Sequence, residues 1–174
     1  IVGQSQPSAD AQGGREEEPR EHQRCLPVVG AVEGRQSGEA EQDGTGRRVV
    51  LGVCGGIAAY KAVEVCRRMV DAGAHVVPVM TAGASHFIGE TTLSALASEP
   101  VRRTLWDESD PIPHTRLGQG ADLVVVAPAT ARLLSAYAHG YSHDLLTNVL
   151  IATRAPVLVC PAMHTEMWEH PSVR

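Results

Sequence analysis

Residues 1–46 hold no lysine, no aromatic side chain and almost no apolar periodicity. Segments such as QGGREEEPREHQR and GRQSGEAEQDGTG cannot bury enough surface to offset chain entropy, so a disordered, low-complexity tail is expected over 1–46. The chain also lacks an initial Met and an apolar core of signal-peptide length, which argues against secretion and against a natural start. No apolar run approaches about 18 residues, so no membrane-spanning helix is expected. The four cysteines, Cys25, Cys54, Cys66 and Cys160, form no CxxC pair. That excludes the usual metal and disulfide frameworks and fits a reducing cytoplasm. His75, His86, His139, His143 and His170 likewise have no metal-ligand spacing, and no metal is expected.

Basic runs and basic amphipathic helices are missing too. The first 46 residues carry four Arg against nine acidic side chains, whereas 47–174 carry eleven of each sign, so the net charge of -5 belongs to the tail. A balanced domain has no electrostatic footprint for nucleic acid or for an anionic membrane, and neither is expected as a partner.

What remains is one domain over 47–174 in a chain that is 43% apolar and 20% charged. There the pattern alternates. RRVVLGVC predicts a strand, and IAAYKAVEVCRRMVDAG a helix with Val63, Cys66, Met69 and Val70 at helical spacing and Gly73 as its stop. AHVVPVMT predicts a second strand, and ASHFIGETTLSALAS a second helix. An acidic, Pro-rich connection and a short HTRLGQG turn lead to ADLVVVAP, the most apolar strand. TARLLSAYAHG reads as a helix capped by Thr130 with Gly140 beyond its end, and SHDLLTNVLIAT as another capped by Ser142. APVLVCP closes the series as a strand. Apolar strands separated by helices predict an α/β domain with a doubly wound parallel sheet.

In such sheets ligands bind where strands end and loops leave for the helices. The loops to consider are therefore 52–58, 81–85, 127–130 and 161–168. The glycines of GVCGGIAAYK let backbone N–H groups approach an anion, although a tight turn serving chain reversal alone gives the same pattern. Thr81 and Thr130 place hydroxyls at two further strand ends, and three small or hydroxyl-bearing loops on one edge suggest a phosphate-bearing cofactor. His114 precedes the central strand, either as a surface or capping residue or as a group at the cofactor edge. Met163, Met167 and Trp168 fit core or subunit-interface filler as well as a site.

Taken in order and spacing, GVCGGIAAYK, VMT, HTRLGQGADLVVVAPAT and PAMHTEMW resemble the flavin-dependent cysteine decarboxylases. The likeness is greatest to the phosphopantothenoylcysteine decarboxylase domain of actinobacterial bifunctional proteins that also carry a phosphopantothenate-cysteine ligase. It covers about residues 47–174. The resemblance implies a flavodoxin-like or Rossmann-like three-layer flavoprotein domain that binds FMN at a subunit interface of a homotrimer, often assembled further into a dodecamer. It implies FMN contacts from Cys54, Gly55, Gly56, Ile57, Thr81, Ala127, Pro128, Ala129 and Thr130. It makes His114 the active-site histidine, and it aligns Pro161, Met163, His164, Met167 and Trp168 with a PxMNxxMW motif that grips the substrate carboxylate.

The implied reaction is decarboxylation of 4'-phosphopantothenoylcysteine to 4'-phosphopantetheine in coenzyme A biosynthesis, a carboxy-lyase activity. A cysteine carboxylate loses CO₂ only when the carbanion left behind has an electron sink, and oxidising the thiol to a thioaldehyde provides one. His114 would orient or deprotonate the thiol. A peptidyl-cysteine decarboxylase and a non-catalytic flavin-binding regulatory protein are the other members of the family that the motifs allow. A flavin prenyltransferase fits less well, because its GxSGAxG loop is missing.

Departures from the family pattern concern three places. The motif Asn is His164. The common GxADNLL reads GYSHDLL, with Arg132 in place of the Asn or Asp of TAN or TAD. The flap cysteine that protonates the enethiol lies beyond Arg174, so a C-terminally truncated chain, with a ligase half fused in the full-length protein, is expected.

Overall fold

The computed structural model describes the backbone of residues 26–27 and, in full, residues 46–106 and 112–174. Apart from Leu26–Pro27 and Gly46, the expected tail over 1–46 lies outside the described residues. Strand β1 (Leu26–Pro27) pairs antiparallel with β5 (Val157–Pro161). The other strands, β2 (Arg48–Val53), β3 (His75–Met80) and β4 (Leu123–Ala129), run parallel to each other and to β5. The sheet order is β1-β5-β4-β2-β3. The four parallel strands thus follow the flavodoxin-like order, and the chain reverses its direction of travel across the sheet between β2 and β4. β3 is the edge strand, which is why Pro78, with no N–H to donate, is accommodated within it.

Alternation along β2 sends side chains to both faces. Val50 joins a core with Leu117, Leu133, Leu145, Leu146 and Val149, while Val49, Leu51 and Val53 join another with Ala62, Cys66 and Leu93. The helices divide accordingly. α1 (Tyr60–Asp71) and α2 (Glu90–Leu96) cover the second face, and α3 (Pro113–Gln119), α4 (Ala131–Ala138) and α5 (Leu145–Ala152) cover the first. Full burial of each such Val or Leu contributes about 1.5–3 kcal/mol. The expected doubly wound α/β architecture is the observed one.

Four local expectations need correction. The segment 84–98 is not one helix: a 3-10 stretch, Ala82–His86, ends before an extended Gly89, and α2 begins at Glu90. HTRLGQG is not a turn but most of α3, where Pro113 occupies a first-turn position that needs no N–H. α5 is capped by Asp144 rather than Ser142. Asp144 Oδ1 accepts from the Thr147 N–H at 2.8 Å, and Thr147 Oγ1 accepts from the Asp144 N–H at 3.1 Å, forming a reciprocal box. PAMHTEMW is only partly loop, because Thr165–Glu169 form a short helix, α6, after His164. Among the described residues no helix is long and apolar enough to cross a membrane.

Candidate functional site

Backbone hydrogen bonds tie the strand ends into one rim. The Cys54 N–H donates to Pro128 O at 3.2 Å, the Thr81 N–H to Val53 O at 3.0 Å, and the Ala162 N–H to Ala129 O at 2.9 Å. Each bond joins the loop after one strand to its neighbour, so the loops after β2, β3, β4 and β5 converge. They enclose a cleft of about 700 Å³ at the reversal point of the sheet.

One wall is the loop after β2, with Cys54, Gly55, Gly56 and Ile57. Thr81, Ala82 and Gly83 adjoin it. Thr130 lines the cleft beside that loop as the cap of α4, its Oγ1 accepting from the Leu133 N–H at 3.4 Å. Met163, His164 and Met167 complete the cleft from the segment after β5. The structure thus gathers nine of the thirteen candidate side chains or backbones there, and brings Ala162, Met163, His164 and Met167 of PAMHTEMW to the same cleft as the Gly-rich loop.

The remaining candidates lie elsewhere. Ala127, Pro128 and Ala129 belong to β4, and Pro128 and Ala129 are buried beneath the rim, which they shape through their carbonyls. His114 lies in the first turn of α3, half-buried, outside the cleft lining, with Nδ1 buried and without a hydrogen-bond partner among the described residues. Trp168 is half-buried in α6 but does not line the cleft. Neither it nor Met163 or Met167 belongs to a buried core cluster, so the core-filler reading of these side chains does not hold.

Arg132, His143 and Asp144 also line the cleft, beyond the residues that the sequence marks. Arg132, His143 and Asp144 stand where the sequence departs from the motifs it resembles, and that departure is the signal the sequence offers. Asp144 was legible as the first residue of a D-x-x-T capping pattern. Its carboxylate also approaches His143 Nε2 at 3.4 Å. At the rim His164 Nδ1 contacts the Glu166 carboxylate. That hydrogen bond, more than any other influence, holds the Glu166 carboxyl below the usual carboxylate range.

Cys54 is in the cleft wall yet almost wholly enclosed. Burial, helped by the nearby Asp144 charge, pushes its thiol up to about 12 against hydrogen bonds from Thr130 that act the other way. It is a neutral small side chain, not a nucleophile.

The shape of the cleft suits a flat, phosphate-bearing group. A Cβ on Gly55 would stand 2.5 Å from the Gly83 carbonyl carbon, so the two loops touch backbone to backbone. Gly56 is open, with Thr130 Cγ2 its nearest neighbour at 3.7 Å. Among the described residues, no backbone carbonyl accepts from the N–H of Gly55 or Gly56. Two unpaired donors on a glycine loop are the usual means of holding a phosphate. Among the described residues no group of acidic, His or Cys side chains could hold a metal ion.

The protein family described as Flavoprotein matches residues 37–174. The chain is 51% identical over 126 residues to the coenzyme A biosynthesis bifunctional protein CoaBC of Mycobacterium tuberculosis, an overlap of 72% of this chain and 30% of that protein. It therefore spans less than a third of the length of that curated relative. Among solved structures, the FMN-dependent cysteine decarboxylase SpaF is similar with a TM-score of 0.68 at 31% identity, covering 73% of this chain and 74% of the other. A PPC decarboxylase mutant complexed with pantothenoylaminoethenethiol is similar with a TM-score of 0.65 at 31% identity, covering 73% and 72%. With a strand-end cleft of the right shape and a match that runs through every described strand from β2 onward, the chain belongs to the flavoprotein family.

Proposed function

We propose that this chain binds FMN in the strand-end cleft and decarboxylates 4'-phosphopantothenoylcysteine in coenzyme A biosynthesis. The observation that carries this reading is the convergence of the Gly-rich loop, Thr81, Thr130 and PAMHTEMW on one cleft. The names of the relatives support it: a coenzyme A biosynthesis protein and a PPC decarboxylase are both similar over most of this chain.

Bound there, FMN would supply the two-electron acceptor that turns the substrate thiol into a thiocarbonyl, the sink for decarboxylation. The chain's own residues do the rest. The N–H groups of Gly55 and Gly56 would hold the cofactor phosphate, with the Thr81 and Thr130 hydroxyls available in the same cleft. Met163 and Met167 present flexible apolar surface that excludes water from the reacting carbon. His164 receives the carboxylate. His114 orients or deprotonates the thiol, and its position outside the cleft of its own chain supports a homo-oligomer in which a neighbouring copy contributes it. A trimer, alone or within a dodecamer, supplies such a neighbour. The free thiols of Cys54 and Cys66 fit a cytoplasmic setting. A fused ligase half fits the length of the CoaBC relative beyond the matched stretch.

Peptidyl-cysteine decarboxylation is the second reading, kept because the FMN-dependent cysteine decarboxylase SpaF is similar at the same 31% identity as the PPC decarboxylase. Incubating FMN-loaded protein with phosphopantothenoylcysteine and with a peptide ending in cysteine, and following CO₂ loss by mass spectrometry, separates the two. Turnover of the peptide alone would overturn the first reading. A colourless protein that takes up no FMN would overturn both.

A further inference from the structure

A carboxylate can only accept hydrogen bonds, whereas a neutral imidazole has a single N–H to give. His164 lines the cleft, and its Nδ1 is engaged by the Glu166 carboxylate two residues on. Nδ1 therefore carries a proton. Nε2 has no partner among the described residues. In the neutral ring Nε2 is then a bare acceptor and repels an incoming carboxylate. Only the imidazolium, donating from both nitrogens, can hold Glu166 and a second carboxylate together. An Asn at this position would donate from its amide at any pH.

We propose that Glu166 is a positioning residue that makes carboxylate capture by His164 conditional on protonation of the ring, so that substrate binding in this cleft is proton-linked. The identity of the captured carboxylate rests on the decarboxylase reading; the tautomer of His164 does not.

The surrounding charges leave Glu166 in this role. Of the other titratable groups lining the cleft, Cys54 is neutral and Arg132 is a permanent cation. Asp144 is committed to the Thr147 N–H and faces His143. On the α6 side, His170 Nδ1 is bonded to Ser172 Oγ, and Glu169 stands at the end of the helix. Both partners of the pair are about four-fifths exposed, at 80% and 79%, so the contact adds little to stability, and its bearing on the ring is which nitrogen faces the carboxylate. Glu166 is a carboxylate acceptor throughout the neutral range, and the hydrogen bond from His164 holds its carboxyl lower still.

The test compares the FMN-loaded full chain with its His164→Asn and Glu166→Gln variants, measuring KM for phosphopantothenoylcysteine between about pH 6 and about pH 9. In the parent protein KM should rise about tenfold per pH unit once the ring loses its proton. His164→Asn should flatten the profile. Glu166→Gln can donate from its amide to Nδ1 and leave the proton on Nε2, so at about pH 9 its KM should fall below that of the parent. One common slope in all three proteins would overturn the proposal. Ring ¹⁵N shifts at about pH 9 supply a second readout that needs no turnover: Nδ1–H in the parent, Nε2–H in Glu166→Gln. If no form releases CO₂ but the tautomer switches as stated, the decarboxylase reading fails and the role of Glu166 stands. A parent ring protonated on Nε2 overturns that role whatever the activity.

Discussion

Gly55 and Gly83 meet backbone to backbone at the head of the cleft. A Cβ built on Gly55 would lie 2.5 Å from the Gly83 carbonyl carbon and 2.7 Å from its Cα, whereas a Cβ on Gly83 would stand 3.4 Å from Gly55 Cα. The contact is one-sided. It brings the loops after β2 and β3 together, and with them the backbone donors proposed to hold the cofactor.

Gly55→Ala should therefore be costly and Gly83→Ala mild. The methyl group on residue 55 would meet backbone, which cannot swing aside as a side chain can, and relieving it by moving a loop should cost about 1–3 kcal/mol. At residue 83 the added methyl makes ordinary contact, and the change should stay within about 0.5 kcal/mol. Thermal unfolding together with FMN titration checks both, with weakened FMN binding expected for Gly55→Ala. Equal effects of the two substitutions would show that the close approach does not shape the site.

The sequence discloses the sheet because its apolar strands stand apart from everything around them: Val49, Val50, Leu51 and Val53 are all buried in β2, and Val124, Val125 and Val126 in β4. Loop positions follow from strand ends, which is why Gly55, Thr81, Thr130 and Met163 could be placed in one cleft. Helix limits are less legible, since they depend on single hydrogen bonds. Ser142 and Asp144 are both good caps, and the buried Thr147, which needs a partner for its hydroxyl, selects Asp144. His114 shows a different limit. The resemblance points to it as a site residue, yet its own chain does not bring it to the cleft, and a sequence pattern carries no information about which copy would supply a group.

Cys54 should resist labelling despite its place in the cleft wall. With the thiol raised to about 12, almost none is thiolate near pH 8, and the side chain is buried. Iodoacetamide at that pH should leave Cys54 unmodified in the native protein and modify it after unfolding, as peptide mass mapping would show. Rapid native labelling would mean that the loop after β2 opens in solution.

At the opposite end of the sheet, Glu99 joins two arginines and a histidine. Its carboxylate accepts from Arg48 at 2.9 Å and contacts His75 Nε2 at 3.0 Å, with Arg102 at 3.6 Å. Burial alone would push its carboxyl up, but the His75 and Arg48 interactions outweigh burial and hold it below its ordinary value of 4.5. A carboxylate depressed in the folded state contributes stability that is fully present above the ordinary value and is lost as pH falls through the folded one. Glu99→Gln should thus cost about 1–3 kcal/mol near neutrality. The gap to the parent should narrow below about pH 4.5 as the parent's carboxylate is protonated. Urea unfolding at several pH values measures that gap, and a gap independent of pH would exclude Glu99 as its source.

His114→Asn tests the division between binding and chemistry. Because His114 does not line the cleft of its own chain, its replacement should leave the loops around Gly55 and Thr130 intact, and the purified protein should keep its FMN and its yellow colour. Asn can still offer a hydrogen bond but cannot take a proton near neutrality, so only the step that needs a base is removed. Loss of a positioned general base lowers turnover by about a hundred- to ten-thousandfold. The expected result is normal FMN affinity and an unchanged assembly state by sizing, with decarboxylation reduced to that extent. If a neighbouring copy contributes the histidine, mixing His114→Asn subunits with subunits disabled at Gly55 should restore part of the activity, because one boundary in the mixed assembly would join an intact cleft to an intact His114. Loss of FMN together with activity would instead make His114 a structural residue of α3, and unchanged turnover would remove it from the mechanism.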